Sequence, residues 1–183
     1  MHEPALKQWL ALIAEHGRGK AVIVPGGGVF ADAVRAAQDE LRFHDASAHR
    51  MALLAMAQVG YMLCDIQPQL TVATSIAAVY TALERRQTPT WLPLDLLEPR
   101  PSVEESWRMS SDSLSAWLAR ELDAQHLIVV KSAAIEPSAS LEALAAVGIV
   151  DELFAWNTGG ALFHTRVVNA DALWRIAEEL RAA

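Results

Sequence analysis

The stretch Ala21-Val22-Ile23-Val24-Pro25-Gly26-Gly27-Gly28-Val29-Phe30-Ala31-Asp32-Ala33-Val34-Arg35 decides how the rest of the chain is read. Its first four residues are apolar and largely β-branched, and a proline and three glycines stop them, which is the pattern of a short strand buried on both faces. Helical periodicity resumes at Val29 and runs to Leu41, so the glycines form a strand-to-helix turn. In an open α/β sheet such turns gather ligands, because the N–H groups that open the helix face outward with the helix dipole behind them. Three glycines in a row let the backbone approach a ligand with no Cβ in the way, which suits a phosphate. The spacing is neither G-x-G-x-x-G nor a Walker loop, since no Gly-Lys-Ser/Thr follows. A tight turn requiring positive φ is the plainer reading of the same residues.

Outward from this bend, helices and strands alternate. Ala5 to His16 places Leu6, Trp9, Leu10 and Ile13 at helical spacing, and Gly17 and Gly19 end that helix. Ala46 to Cys64 predicts a long, very apolar helix behind a cap at Asp45. Leu70 to Thr74 and Thr90 to Leu94 read as strands around a helix from Ile76 to Arg86. Leu97 to Arg108, with Pro99 and Pro101, reads as a loop with a turn of helix at the Ser102-x-x-Glu105 capping box. Ser113 to Asp123 is helical, His126 to Val130 a buried strand, and Leu141 to Val147 a helix ended by Gly148. Asn157-Thr158-Gly159-Gly160 reads as a turn, Ala161 to Val168 as the last strand, and Ala170 to Leu180 as a helix capped by Asn169. Strands separated by helices pair in parallel through right-handed crossovers. The expected fold is therefore α/β, a three-layer α/β/α sandwich with a mainly parallel sheet, in a single domain over residues 1–183.

Composition bounds the function. The 183 residues are 52% hydrophobic and carry 22 acidic against 15 basic side chains, enough chain to bury a core without disulfides or a structural metal. Cys64 is the single cysteine; with no signal-peptide pattern at the start, the expectation is a reducing compartment, most simply the cytoplasm. The longest apolar run, Met51 to Met62, is broken by Gln58 and is shorter than the roughly 20 residues a membrane span needs, so no membrane is expected. A net charge of −7 with only three lysines argues against nucleic acid, whose phosphates demand clustered cations.

Two further turns carry chemistry. Ser110-Ser111-Asp112-Ser113 opens a helix and reads as an N-cap cluster. Lys131 ends a strand behind four apolar residues, where it either snorkels to solvent or neutralises a charge such as a transferring phosphoryl group. His44, Asp45 and His49 match no standard metal spacing and no metal site is expected; Asp45 is assigned to capping and His49 to lining a pocket. Cys64 reads as a buried inert thiol, and no Gly-x-Ser-x-Gly elbow accompanies any serine. Trp9, Trp117 and Trp174 fall on amphipathic helices as core residues, whereas Trp107 beside the serine cluster is placed to shape a pocket. If solvated, the loop Asp151 to Gly160 exposes Phe154 and Trp156 as a contact for a homo-oligomer.

Taken in order, Val22 to Arg35, then Ser106-Trp107 with Ser110 to Leu114, then Leu127-Ile128-Val129-Val130-Lys131, resemble the amino acid kinase family, which includes aspartate, acetylglutamate, uridylate and isopentenyl phosphate kinases. With Asp45 to Met56 and its His49 added, the likeness is greatest to a branch of small kinases linked to synthesis of methanofuran-type C1 carriers, and it extends over nearly the whole chain. The resemblance implies an ATP-dependent phosphotransferase that uses Mg2+ and acts on a small phosphorylated or carboxylated acceptor, such as a furan-type precursor. It implies that Gly26, Gly27 and Gly28 hold the phosphoryl by backbone N–H groups, that Asp112 orients catalytic lysines, and that Lys131 touches ATP. Asp45, His49, Trp107, Ser110 and Ser111 would border the acceptor. The sequence departs from the family in three places. No Lys-x-Gly-Gly-Ser first strand occurs in it, Arg108 replaces an acidic residue after Ser-Trp, and Ser132-Ala133-Ala134 replaces an acidic-glycine turn. A non-catalytic module binding a nucleotide or phosphometabolite, and a structural subunit pairing its sheet edge with a partner, are the alternatives.

Overall fold

Helix α1 (Glu3–His16) ends where Gly17 donates to the Ile13 carbonyl at 2.7 Å and Gly19 takes a φ of +73°. The computed structural model describes residues 3–136, 138–172 and 176. Helices α2 (Gly28–Leu41) and α3 (Asp45–Ile66) follow, then strand β1 (Leu70–Ala73), α4 (Ile76–Glu84) and strand β2 (Thr88–Trp91). Next come a 3-10 turn (Leu94–Leu96), α5 (Ser111–Glu121), β3 (His126–Lys131), α6 (Leu141–Ala146), α7 (Phe154–Thr158) and β4 (His164–Asn169). The helix expected over 170–180, with Trp174, lies outside the described residues apart from Ile176; Asn169 accepts from the Asp171 N–H at 2.8 Å, as a cap does. All described strand pairs are parallel, β1 with β2 and β3 with β4, as the helix-separated strands predict.

Several expectations need correction. Ala21 to Val24 is no strand buried on both faces: it makes the single bridge Ile23–Thr90, and its residues are half-buried. Two prolines explain this. The Ile23 N–H donates to the Pro89 carbonyl, and Ile23 accepts from the Trp91 N–H; the next ladder bonds would need N–H groups from Pro89 and Pro25, which have none. The strands form two separate parallel pairs, with β2 flanked by β1 and the Ile23 bridge. Asp45 is not the cap of α3 but its first residue; His44 holds the N-cap position, and the Asp45 carboxylate accepts from Gln38 Nε2 at 2.8 Å. No helical turn forms at 102–105, because Ser102 Oγ faces Trp117 Nε1 at 3.0 Å and Glu105 is drawn to Arg50 at 3.0 Å. The segment 151–160 contains α7, which buries Phe154 completely while leaving Trp156 82% exposed.

Helix α5 joins two cores. Leu114, Trp117 and Leu118 face Leu53 and Met56 of α3, Ala73 and Trp91, with the Trp91 and Trp117 rings stacked at 6.1 Å. Ala116 and Ala119 on its other side face Leu127, Val129, Leu144 and Phe154. Burying each leucine or tryptophan is worth about 2 kcal/mol or more, so the helix that carries Asp112 is fixed from both sides. Helix α1 bridges the two strand pairs: Leu10 and Ala14 pack on Leu63 and Leu70, and Trp9 packs on Val168 while its indole donates to the Ala170 carbonyl at 2.7 Å.

Candidate functional site

The three glycines of the bend serve different ends. Gly28 opens α2 with a φ of +52°, a left-handed conformation that other L-residues adopt at a cost. A Cβ on Gly27 would lie 2.5 Å from the Ala31 Cβ, so glycine there lets the bend close onto the first turn of α2. A Cβ on Gly26 would meet only Ser111 Oγ, at 3.5 Å. Among the described residues, the backbone N–H groups of Gly26, Gly27 and Gly28 donate to no protein acceptor. The requirement for positive φ and the open backbone therefore both hold, at different residues.

These amides border a cavity of about 230 Å³. Helix α2 contributes Gly28, Ala31, Asp32 and Arg35, spaced i, i+3, i+4, i+7, and α3 contributes His49, Ala52, Leu53 and Met56 in the same rhythm. Ser106, Trp107, Met109 and Ser110 close it from the loop before α5; Ser111, Asp112 and Leu114 come from α5, and Lys131 from the end of β3. Of the residues singled out in the sequence, Gly26, Gly27, Gly28, His49, Trp107, Ser110, Ser111, Asp112 and Lys131 thus meet around one space. Asp45 does not line it.

At the inner wall, Lys131 Nζ donates to Asp112 Oδ2 at 2.6 Å. Lys131 is therefore neutralising a charge rather than simply reaching solvent. The Asp112 side chain is 9% exposed and that of Lys131 24%, so the ammonium is the more accessible end of the pair. Burial pushes the Asp112 carboxyl above its ordinary range; the Lys131 ammonium pulls it back, the neighbouring Asp151 charge pushes it up, and the Asp151 N–H favours ionisation. That N–H reaches the same Oδ2 at 3.2 Å.

Asp151 is a residue that sequence reasoning missed. Its Oδ2 accepts from the Ser110 N–H at 2.8 Å, the Ser110 hydroxyl at 2.8 Å and the Ser113 N–H at 2.9 Å, and its Oδ1 accepts from the Ser113 hydroxyl. Ser110 makes no side-chain cap to its own helix; the cap comes from a carboxylate 38 residues beyond Ser113. Local capping rules look only three residues ahead, so nothing in the sequence signals this. Arg35 and Asp32 were missed as well, although their row with Gly28 and Ala31 was legible as one helix face.

The outer wall is built around Trp107. Its indole N–H donates to Gln38 Oε1 at 2.6 Å, and Gln38 in turn donates to Asp45 and to the Phe43 carbonyl. Asp45 thus acts at one remove, by holding the residue that holds Trp107. The Arg35 guanidinium lies 4.3 Å over the Trp107 ring and 3.0 Å from Asp32, an arrangement favoured by the ring's negative face. His49 is buried, and its Nε2 has no hydrogen-bond partner among the described residues. Burial pushes its pKa below the ordinary imidazole value, with Glu105 and the Ser106 backbone pulling the other way. Arg108 points away from the cavity to Glu152 at 2.9 Å and Glu104 at 3.4 Å. Among the described residues no cluster of three or more His, Cys, Asp or Glu side chains is placed to hold a metal, and no helix is long and apolar enough to cross a membrane.

An α/β architecture of parallel strands with a ligand cavity at the strand-to-helix turns defines the class, and the comparisons agree with it. No protein-family model matches the chain. The crystal structure of uridylate kinase from Archaeoglobus fulgidus superposes with a TM-score of 0.70 over 98% of this chain and 89% of that one, at 14% sequence identity, so the fold is that of the amino acid kinases. By sequence, the chain is 29% identical over 127 residues to [5-(aminomethyl)furan-3-yl]methyl phosphate kinase of Methanocaldococcus jannaschii. That match takes in 69% of this chain and 58% of the relative, so the chain spans less than two thirds of that protein's length. What the chain shares with these proteins is thus an amino acid kinase-like fold.

Proposed function

We propose that the protein is an ATP-dependent phosphotransferase whose acceptor is a small phosphorylated or carboxylated metabolite, with a furan-type C1-carrier precursor as the first candidate. The observation that carries this reading is the convergence of the open amides of Gly26 to Gly28 with the Asp112–Lys131 pair on one cavity. Phosphoryl transfer asks little covalent chemistry of a protein; it asks for positioning and for charges aimed at the transferring oxygens. The glycine amides offer uncommitted donors, and the helix dipole of α2 stands behind them. Lys131, held by Asp112 yet partly exposed, offers a point cation. Arg35 offers a second cation at the outer wall. The site fits a phosphoryl group for these reasons. Mg2+ enters this reading with the nucleotide, whose phosphate oxygens it would neutralise. The furan candidate rests on the name of the Methanocaldococcus relative. A reducing compartment such as the cytoplasm belongs to the same reading, because Cys64 is the single cysteine of the sequence and has no second thiol to bridge to within it.

The test is turnover of ATP and Mg2+ against a panel of small phosphorylated and carboxylated acceptors. Product is expected with at least one acceptor, and Asp112→Asn or Lys131→Ala is expected to lower kcat by about a hundredfold or more, the scale of losing one electrostatic stabiliser. Nucleotide binding with no product from any acceptor would favour the non-catalytic module. Turnover unchanged in both variants would remove the mechanism.

A further inference from the structure

Every protein contact of the Asp112 carboxylate leads, directly or through one bond, to β3 or to residue 151. Oδ2 takes the Lys131 ammonium and the Asp151 N–H. The Asp151 carboxylate returns across the same gap to the first turn of α5, gripping Ser110 and Ser113 on either side of Asp112 by four hydrogen bonds. The two aspartates thus form a closed loop in which each holds the other's backbone segment. Two consequences follow. The Ser113 N–H at the opening of α5 is already occupied by an internal anion and is closed to an incoming phosphate, whereas the amides of the glycine bend are open to one. Asp112 also cannot swing away from Lys131 without disturbing a clamp made by residues 38 to 41 positions away.

We propose that Asp151 is a positioning residue of the site: its carboxylate clamps the first turn of α5 so that its own backbone N–H and Lys131 together fix the Asp112 carboxylate toward the cavity. The assignment rests on the phosphotransferase reading for the importance of Asp112, but not for the clamp. A plain helix cap stabilises α5 by about 1 kcal/mol and touches the Asp112–Lys131 pair only through its charge; a positioning residue also keeps the residue 151 N–H on Asp112. The Asp151 charge opposes ionisation of Asp112 and its N–H supports it, so removing the charge while keeping the N–H eases ionisation.

The readout uses Lys131, one of only three lysines in the chain. In ligand-free protein carrying 13C-labelled lysine, the Lys131 side-chain signal is assigned with Lys131→Arg and followed from pH 3 to 8. Its inflection is assigned to Asp112 by its loss in Asp112→Asn, which separates it from the other charged groups on the cavity, Asp32, Arg35 and His49. In Ser113→Ala, which keeps both charges and removes the Ser113 hydroxyl from the clamp, the inflection is expected to move upward as the residue 151 N–H is released. An inflection unchanged from wild type, with only Tm lowered, would reduce Asp151 to a cap and overturn the proposal. Should Ser113→Ala fail to fold, Ser110→Ala likewise keeps both charges and removes one donor to the clamp. There the inflection is expected to move upward as the residue 151 N–H is released, and an unmoved one overturns the proposal. No nucleotide enters the measurement, so failure of the phosphotransferase reading leaves its outcome intact, and its own failure leaves that reading standing.

Discussion

At the residue scale, the glycine bend separates structural need from exposure to a ligand. The sequence shows three equivalent glycines; the structure makes them unequal, because Gly27 is pressed against Ala31 and Ala55 whereas Gly26 faces Ser111 across open space. Gly27→Ala must push the bend off Ala31 in the first turn of α2, a form of overpacking that costs about 1–3 kcal/mol. Gly26→Ala meets ordinary van der Waals contact and is expected to leave stability within about 0.5 kcal/mol of wild type. Thermal or urea unfolding of the two variants checks the contrast, and equal losses would mean that the bend is merely a tight turn. Glycine runs announce an open backbone, but which member faces the ligand depends on neighbours such as Ser111 that are remote in sequence.

At the scale of elements, α5 and β3 meet through Asp112 and Lys131, and the cost of that meeting depends on pH. The folded-state pKa of Asp112 is raised above its unfolded value near 4, so the folded chain holds the proton more tightly than the unfolded chain. The stability this contributes is full below pH 4 and is lost as pH rises through the raised folded value. Asp112→Asn lacks this dependence. Its Tm relative to wild type is therefore expected to climb by a few degrees between pH 4 and 7, about 1 kcal/mol corresponding to roughly 2–4 °C in a chain of this size. A Tm difference flat across that range would mean that burial does not dominate at Asp112. Elements with strong periodicity were legible from sequence: α2, α3 and α5 lie within a few residues of where the apolar spacing puts them. Pairings were less so, because Pro25 and Pro89 limit the Ile23 segment to one bridge only when they flank the Ile23–Thr90 pair from opposite strands. Capping by Asp151 was invisible for the same reason, since the partner is contributed by tertiary structure.

At the scale of the whole molecule, two cores share α5, and the cavity sits where that helix, α2, α3 and β3 converge. The fold class and the residues around the cavity were readable because the turns that carry them have distinctive local chemistry: glycines, a serine cluster and a lysine after an apolar run. At the outer wall Trp107 was readable but its anchorage was not, since it is fixed through Gln38 to Asp45 by contacts between separate segments. The most direct test of the central claim, that this cavity grips phosphoryl oxygens through the bend and Lys131, is calorimetric titration of a non-hydrolysable ATP analogue with Mg2+ into wild type, Gly26→Ala and Lys131→Ala. The account predicts one site in the wild type and at least about a tenfold weaker Kd in each variant, about 1.4 kcal/mol. Equal affinity in all three proteins, or no binding by the wild type, would contradict it.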